Sequence, residues 1–196
     1  MENADTMHSR AKGACPRRYD AVSMTLHWLT LLLLIALFGT IWAREQVSNG
    51  DTANLLLTLH RSSGLLVLLI TLARLAWKWT SGRAPALPLT MPLAQRWAAR
   101  ANEYALYLLL IAQPVTGFFQ SVARGKPFVL FGAAVPSIMA RSKDLTHLFR
   151  GIHETTATVL LVLVGLHTCA ALFHGIVLRD GVLRSMLPTL PQIFQK

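Results

Sequence analysis

The chain has 196 residues, 53% of them hydrophobic and only 14% charged, with a formal net charge of +10. A soluble domain carries about 25% charged residues, so this composition, with a mean hydropathy of +0.44, excludes an ordinary water-soluble globule and points to one compact integral membrane domain. The positive charge requires no nucleic acid partner, because basic connections of a membrane protein are held by anionic lipid headgroups.

Residues 1–20 form a polar tail, expected to be cytoplasmic. The first apolar run, AVSMTLHWLTLLLLIALFGTIWA (residues 21–43), has no charge and contains His27. It is longer than the core of a signal peptide and lacks a small-residue cleavage pattern, so it is expected to be retained as a span. A short connection, residues 44–54, makes the next helix an antiparallel neighbour. That second span covers about 55–79 and carries His60, Arg61 and Arg74. The proline-broken, basic stretch SGRAPALPLTMPLAQRW (residues 81–97) is a connector. The third helix starts inside it, near Leu93, and spans about 95–123 with Pro114 in its interior; neighbouring helices can re-satisfy a carbonyl freed by such a proline. The connection over residues 124–150 begins with RGKPFVLFGAAVP, too apolar for an ordinary loop and too short to span. It is expected to lie along the outer interface or to fold over the bundle mouth. The fourth span covers about 147–178, and residues 188–196 form a second cytoplasmic tail.

The fold class that follows is all-α, a four-transmembrane-helix bundle in up-down-up-down order over residues 21–187. Lys and Arg near the span ends divide twelve to seven in favour of the side carrying the termini, which orients both termini to the cytoplasm. Cys15 in the tail and Cys169 in the fourth span are not expected to meet, so no disulfide framework is indicated.

Histidines mark two depths in this bundle. His153 and His167 bracket the run HETTATVLLVLVGLH, fourteen positions apart. On a helix their rings fall within about 40° of each other and ~21 Å apart along the axis. His60 opens the second helix at the outer depth, matching His153; His27 lies early in the first, at the inner depth, matching His167. Two imidazoles facing each other across a bundle suit the axial positions of a haem iron. Arg74 follows His60 by fourteen positions, on the same face at the inner depth, where a buried guanidinium needs an anion and a propionate of the inner haem would serve. Arg61 points about 100° away from His60 and is expected to reach the outer headgroups.

A single membrane histidine reads equally well as an interhelical hydrogen bond; four that pair by depth are harder to dismiss. One zinc or di-iron centre is disfavoured, because the axial separation divides the ligands between two sites. A haem-free transporter would want carboxylates within the spans, and only Glu103 and Glu154 are available, both at span ends. His174 reads as an interfacial histidine, with a propionate or quinone contact as the alternative, while His147 and His8 read as solvated. Trp28, Trp42, Trp77, Trp79 and Trp97 flank span ends as an interfacial belt. Thr155, Thr156 and Thr158 either bond backbone carbonyls or line a haem edge.

These residues resemble the bacterial cytochrome b561 family, small four-helix dihaem membrane proteins that include a superoxide oxidase reducing ubiquinone. The resemblance covers Arg18 to Leu187. It is carried by SMTLHWLT, by LHRSSG with ARL downstream, by LYLLLIAQPVTG, by RGKPFVLFGAAVP and by HETTATVLLVLVGLHTCAALFH. The histidine-bearing helices alone would also resemble haem subunits of larger respiratory oxidoreductases. Carried over position by position, the iron ligands fall on His60 and His153 for the outer haem and on His27 and His167 for the inner haem. Many members have a histidine near Glu103; this chain has none there.

The resemblance implies two haem b groups, ubiquinone as substrate, and a bacterial inner-membrane location. Electrons would pass between ubiquinone and an outer-side partner, either superoxide or a separate periplasmic redox protein, and no protein side chain would act as a catalyst. The outer residues Arg124, Lys126, Arg141, Lys143 and Arg150 either steer a small anion such as superoxide or are solvated loop charges.

Overall fold

The computed structural model describes residues 18–82, 84–85 and 91–187. Most of the predicted N-terminal tail, with His8 and Cys15, and all of residues 188–196 lie outside the described residues.

Four helices are long and apolar enough to cross a membrane. Helix α1 (Ala21–Gln46) is capped by Asp20, whose carboxylate accepts the Ser23 N–H at 2.9 Å. Helix α2 (Gly50–Thr80) starts earlier than its apolar run because Asn49 accepts the Asp51 and Thr52 N–H groups. Free N–H groups in a first turn are satisfied this way, and Asp51 beside them complements the helix dipole. Helix α3 (Leu93–Ala123) begins directly after Pro92. Helix α4 (Lys143–Phe173) likewise begins ahead of its apolar run, capped by Ser142 with Asp144 in the first turn. It continues as a π-helical turn, His174–Leu178, and a short helix α5 (Val182–Met186) follows.

A small antiparallel hairpin, β1 (Phe128–Leu130) and β2 (Ala133–Val135), is the non-helical element between α3 and α4. Phe131 and Gly132 both have positive φ, 49° and 82°. That is the backbone of a tight I′-type turn, for which glycine is suited. The hairpin folds over the bundle mouth: the Phe131 N–H donates to Ser62 Oγ at 2.9 Å, and buried Phe128 meets Phe118 edge-on. This end is the predicted outer one. The opposite, terminal end is closed by the Tyr19 N–H donating to the Ser185 carbonyl and the Trp28 indole donating to the Met186 carbonyl.

The backbones of α1 and α2 pack as one hairpin and those of α3 and α4 as another, joined through α2 and α3. Helix α4 makes no comparable backbone packing with α1 or α2. The buried core is a thin layer of Leu34, Val67, Leu110 and Leu160, one from each helix. Leu34 follows His27 by seven positions, Val67 follows His60 by seven, and Leu160 lies midway between His153 and His167. Seven positions are about two turns, so Leu34, Val67 and Leu160 each share a face with a histidine. The layer therefore lies between the two histidine levels. Leu32, Ile35, Leu69, Leu108, Val162 and Leu166 face outward and are exposed, as hydrocarbon contact requires.

Candidate haem sites

At the hairpin end, His60 on α2 and His153 on α4 face each other with ring centroids 6.4 Å apart and planes at 79°. The His60 Nδ1–H donates to the Leu37 carbonyl of α1 at 3.0 Å. The His153 Nδ1–H donates to the Gln113 carbonyl of α3 at 3.1 Å, with Thr116 Oγ1 also at 3.1 Å. A carbonyl can only accept, so the proton of each neutral ring sits on Nδ1 and the lone pair remains on Nε2. All four helices thus contribute, two with an imidazole and two with the carbonyl that orients it.

Helix α3 adds more than a carbonyl. The Gln113 side-chain amide donates to the His153 carbonyl at 3.0 Å and to Thr156 Oγ1 at 2.6 Å, clamping α3 to α4 beside the ligand. Gly117 leaves room for the ring: a Cβ there would lie 3.1 Å from His153 Cε1. Thr156 both receives the amide and donates to the Ile152 carbonyl, whereas Thr158 simply bonds the Glu154 carbonyl.

At the terminal end, His27 on α1 and His167 on α4 face each other with centroids 6.1 Å apart and planes at 59°. Trp28 packs edge-on against His27. Arg74 lies within electrostatic reach of both imidazoles, with its guanidinium 5.4 Å from the Tyr107 ring centre. Among the described residues, no carboxylate forms an ion pair with it. Thr71, one turn before Arg74 on the same helix, is buried with its hydroxyl unpartnered. Glu103 is not free at this level, because it pairs with Lys78 at 2.6 Å.

Both imidazole pairs fit a haem iron. A metal-bound imidazole nitrogen sits ~2.0 Å from the metal, so two trans rings have centroids roughly 6.3 Å apart; the observed values are 6.4 and 6.1 Å. Among the described residues, no group of three or more His, Cys, Asp or Glu side chains could hold a metal ion, which leaves paired imidazoles without the further ligands a closed zinc site would need.

A family model described as "Prokaryotic cytochrome b561" matches residues 18–189. The chain belongs to the prokaryotic cytochrome b561 family. Among similar proteins, "Cytochrome b561 homolog 2" of Escherichia coli (strain K12) is 32% identical over 88% of this chain and 92% of its own length. "Probable superoxide oxidase CybB" of Yersinia pestis is 28% identical over 88% and 97%. "Cytochrome b561 homolog 1" of Escherichia coli (strain K12) is 28% identical over 87% and 97%. Cytochromes b561 bind haem b and transfer electrons in membranes, so this chain is a multi-pass membrane cytochrome. The haem-free transporter reading has no support left.

Arg61 is half-buried, with its guanidinium 5.3 Å from the centre of the Phe128 ring under the hairpin. The apolar roof, invisible to a helical-wheel reading, makes the inward position favourable through cation–π contact. His174 is partly buried, and its Nδ1 lies 2.5 Å from Asp180 Oδ2. Sequence reasoning missed Leu37, Gln113, Thr116 and Gly117. In QPVTG, where Pro114 is readable as an interior proline, the polar residues inside an apolar helix are the available signal.

Proposed function

We propose that this cytochrome b561 carries two haem b groups and passes electrons between ubiquinone and a redox partner at the hairpin side, with superoxide as the electron donor there. The observation that carries the reading is the pair of facing imidazole sets, at two levels, each bridging from α4 to the other helical hairpin. His60 and His153 hold one iron; His27 and His167 hold the other. Haem b so bound supplies reversible one-electron transfer, with potentials set by axial ligands, burial and nearby charge. The Leu34–Val67–Leu110–Leu160 layer excludes water between the levels.

Arg74 pairs with a propionate at the terminal level. A cation there favours the reduced state, so Arg74→Gln is expected to lower the midpoint potential of one haem and leave the other unmoved in a spectroscopic redox titration. Equal potentials in variant and wild type would remove Arg74 from the site.

The Lys and Arg distribution supports cytoplasmic termini in a bacterial inner membrane, which turns the hairpin end outward. Arg124, Lys126, Arg141, Lys143 and Arg150 then steer a small anion toward that end. The test is superoxide delivered to protein in ubiquinone-containing liposomes. Two superoxide anions give two oxygen molecules, and their two electrons with two protons convert ubiquinone to ubiquinol. Ubiquinol should form at half the rate of superoxide loss, and both rates should fall as salt rises. If superoxide decays at its spontaneous rate while a reduced periplasmic redox protein reduces the haem, the chain is a relay for that protein instead.

A further inference from the structure

The hairpin end carries a concentration of charge that the imidazoles do not explain. Arg44 follows Leu37, the residue whose carbonyl holds His60, by seven positions. Arg124 follows Gly117, the residue that faces the His153 ring, by seven positions as well. Seven positions place a residue on the same helical face, about 10.5 Å further along. Arg61 adjoins His60 itself. Three guanidinium groups from α1, α2 and the end of α3 therefore rim one imidazole pair.

Among the described residues, no carboxylate compensates them. Arg61 lies within electrostatic reach of Arg124 and Arg44, and Arg124 of Arg44 and Arg150. Among the described residues, none of Arg44, Arg61 and Arg124 forms an ion pair, and Glu154 is already taken by Arg150 at 2.7 Å. Arg44 Nε is buried with no hydrogen-bond partner. Arg124 keeps an exposed side chain, yet partial desolvation and then the neighbouring Arg44 and Arg150 hold its guanidinium below its usual range.

Gathered, partly desolvated like charges are costly unless an anion joins them. A guanidinium fork matches a carboxylate in shape as well as charge. Haem b carries two carboxylates along one edge, and this rim lies beside the imidazoles that would hold such a group.

We infer that Arg44, Arg61 and Arg124 form a carboxylate-binding site that receives the propionates of the haem held by His60 and His153. This assignment rests on the dihaem reading. A freely diffusing small anion would find the same donors, so the experiment must separate the two sources.

The full-length protein is loaded with haem labelled with carbon-13 at the propionate carboxyls, and redox-induced infrared difference spectra are recorded. Wild type is compared with Arg44→Gln, Arg61→Gln and the charge-keeping Arg44→Lys. In both Gln variants, the label-sensitive carboxylate bands of one haem should shift, and Arg44→Lys should restore them toward wild type. Loss of charge-assisted hydrogen bonds should speed transfer of that haem to apomyoglobin by about tenfold or more, with the other haem unaffected. A wild type that takes up no haem would defeat the dihaem reading itself, not this site alone. Folded, dihaem Gln variants with unchanged bands and transfer rates would overturn the propionate assignment. So would variants that lose only the binding of added inorganic phosphate, which would leave the arginines to a diffusing anion.

Discussion

Replacing His60 with alanine is expected to halve the haem content, from two groups per chain to one, and replacing His27 to do the same from the other end. Each site has two imidazoles and no reserve: among the described residues, no larger cluster of ligating side chains exists to substitute. One imidazole facing a methyl group leaves the iron half-ligated, so low-spin character at that site is lost along with most of its occupancy. The surviving site should be spectroscopically unchanged, because the two levels are ~21 Å apart along α4 and the layer of Leu34, Val67, Leu110 and Leu160 lies between them. The combination of His153→Ala with His167→Ala should remove both haems. It should also cost more stability than either single change, since α4 lacks close backbone packing with α1 and α2 and faces them through its imidazole pairs. Haem per chain by alkaline pyridine spectra, with low-spin signals by electron paramagnetic resonance, gives the readout. Loss of both groups on one single substitution would contradict two independent sites.

The second large effect is expected at Gly117, which touches no iron. A methyl group there would lie 3.1 Å from His153 Cε1 and 3.4 Å from Nδ1, closer than such contacts ordinarily come. The ring cannot simply slide away, because its Nδ1 is held by the Gln113 carbonyl, one turn earlier on the same helix, and by the hydroxyl of the adjacent Thr116. Gly117→Ala should therefore tilt the imidazole, shift the low-spin signal of the hairpin-side haem, and weaken its retention by about the 10–100-fold typical of lost outer-shell support. Gly117→Leu should empty that site. Thr116→Val is the milder companion, since the Gln113 carbonyl remains. The terminal-side haem should be unaltered in all three. An unchanged hairpin-side signal in Gly117→Ala would show that His153 is not seated against α3.

What the sequence disclosed and what it hid divide along physical lines. Helical periodicity and hydropathy placed the four helices and sorted His27, His60, His153 and His167 into the pairs that face each other in the fold. Hydropathy sees only the apolar body of a helix, so α2 and α4 were drawn short at their starts, although Asn49 and Ser142 were readable as caps. The carbonyls of Leu37 and Gln113 were not legible, because every residue has a carbonyl and only tertiary packing selects the one that meets a ring. Gly117 was silent for a similar reason: its role is the space it leaves. The contact of Arg61 with Phe128 was not legible either, because nothing in a helical wheel shows the hairpin above it. Glu103 likewise needed the fold, since its partner Lys78 is on another helix.

The most direct test of two bis-histidine haem sites is a reduced-minus-oxidised visible spectrum of the purified protein, with haem counted per chain. Two low-spin b haems per chain are expected, each titrating as a one-electron centre. A folded, colourless protein, or one that saturates at a single haem, would contradict the pairing of His60 with His153 and of His27 with His167 as iron ligands.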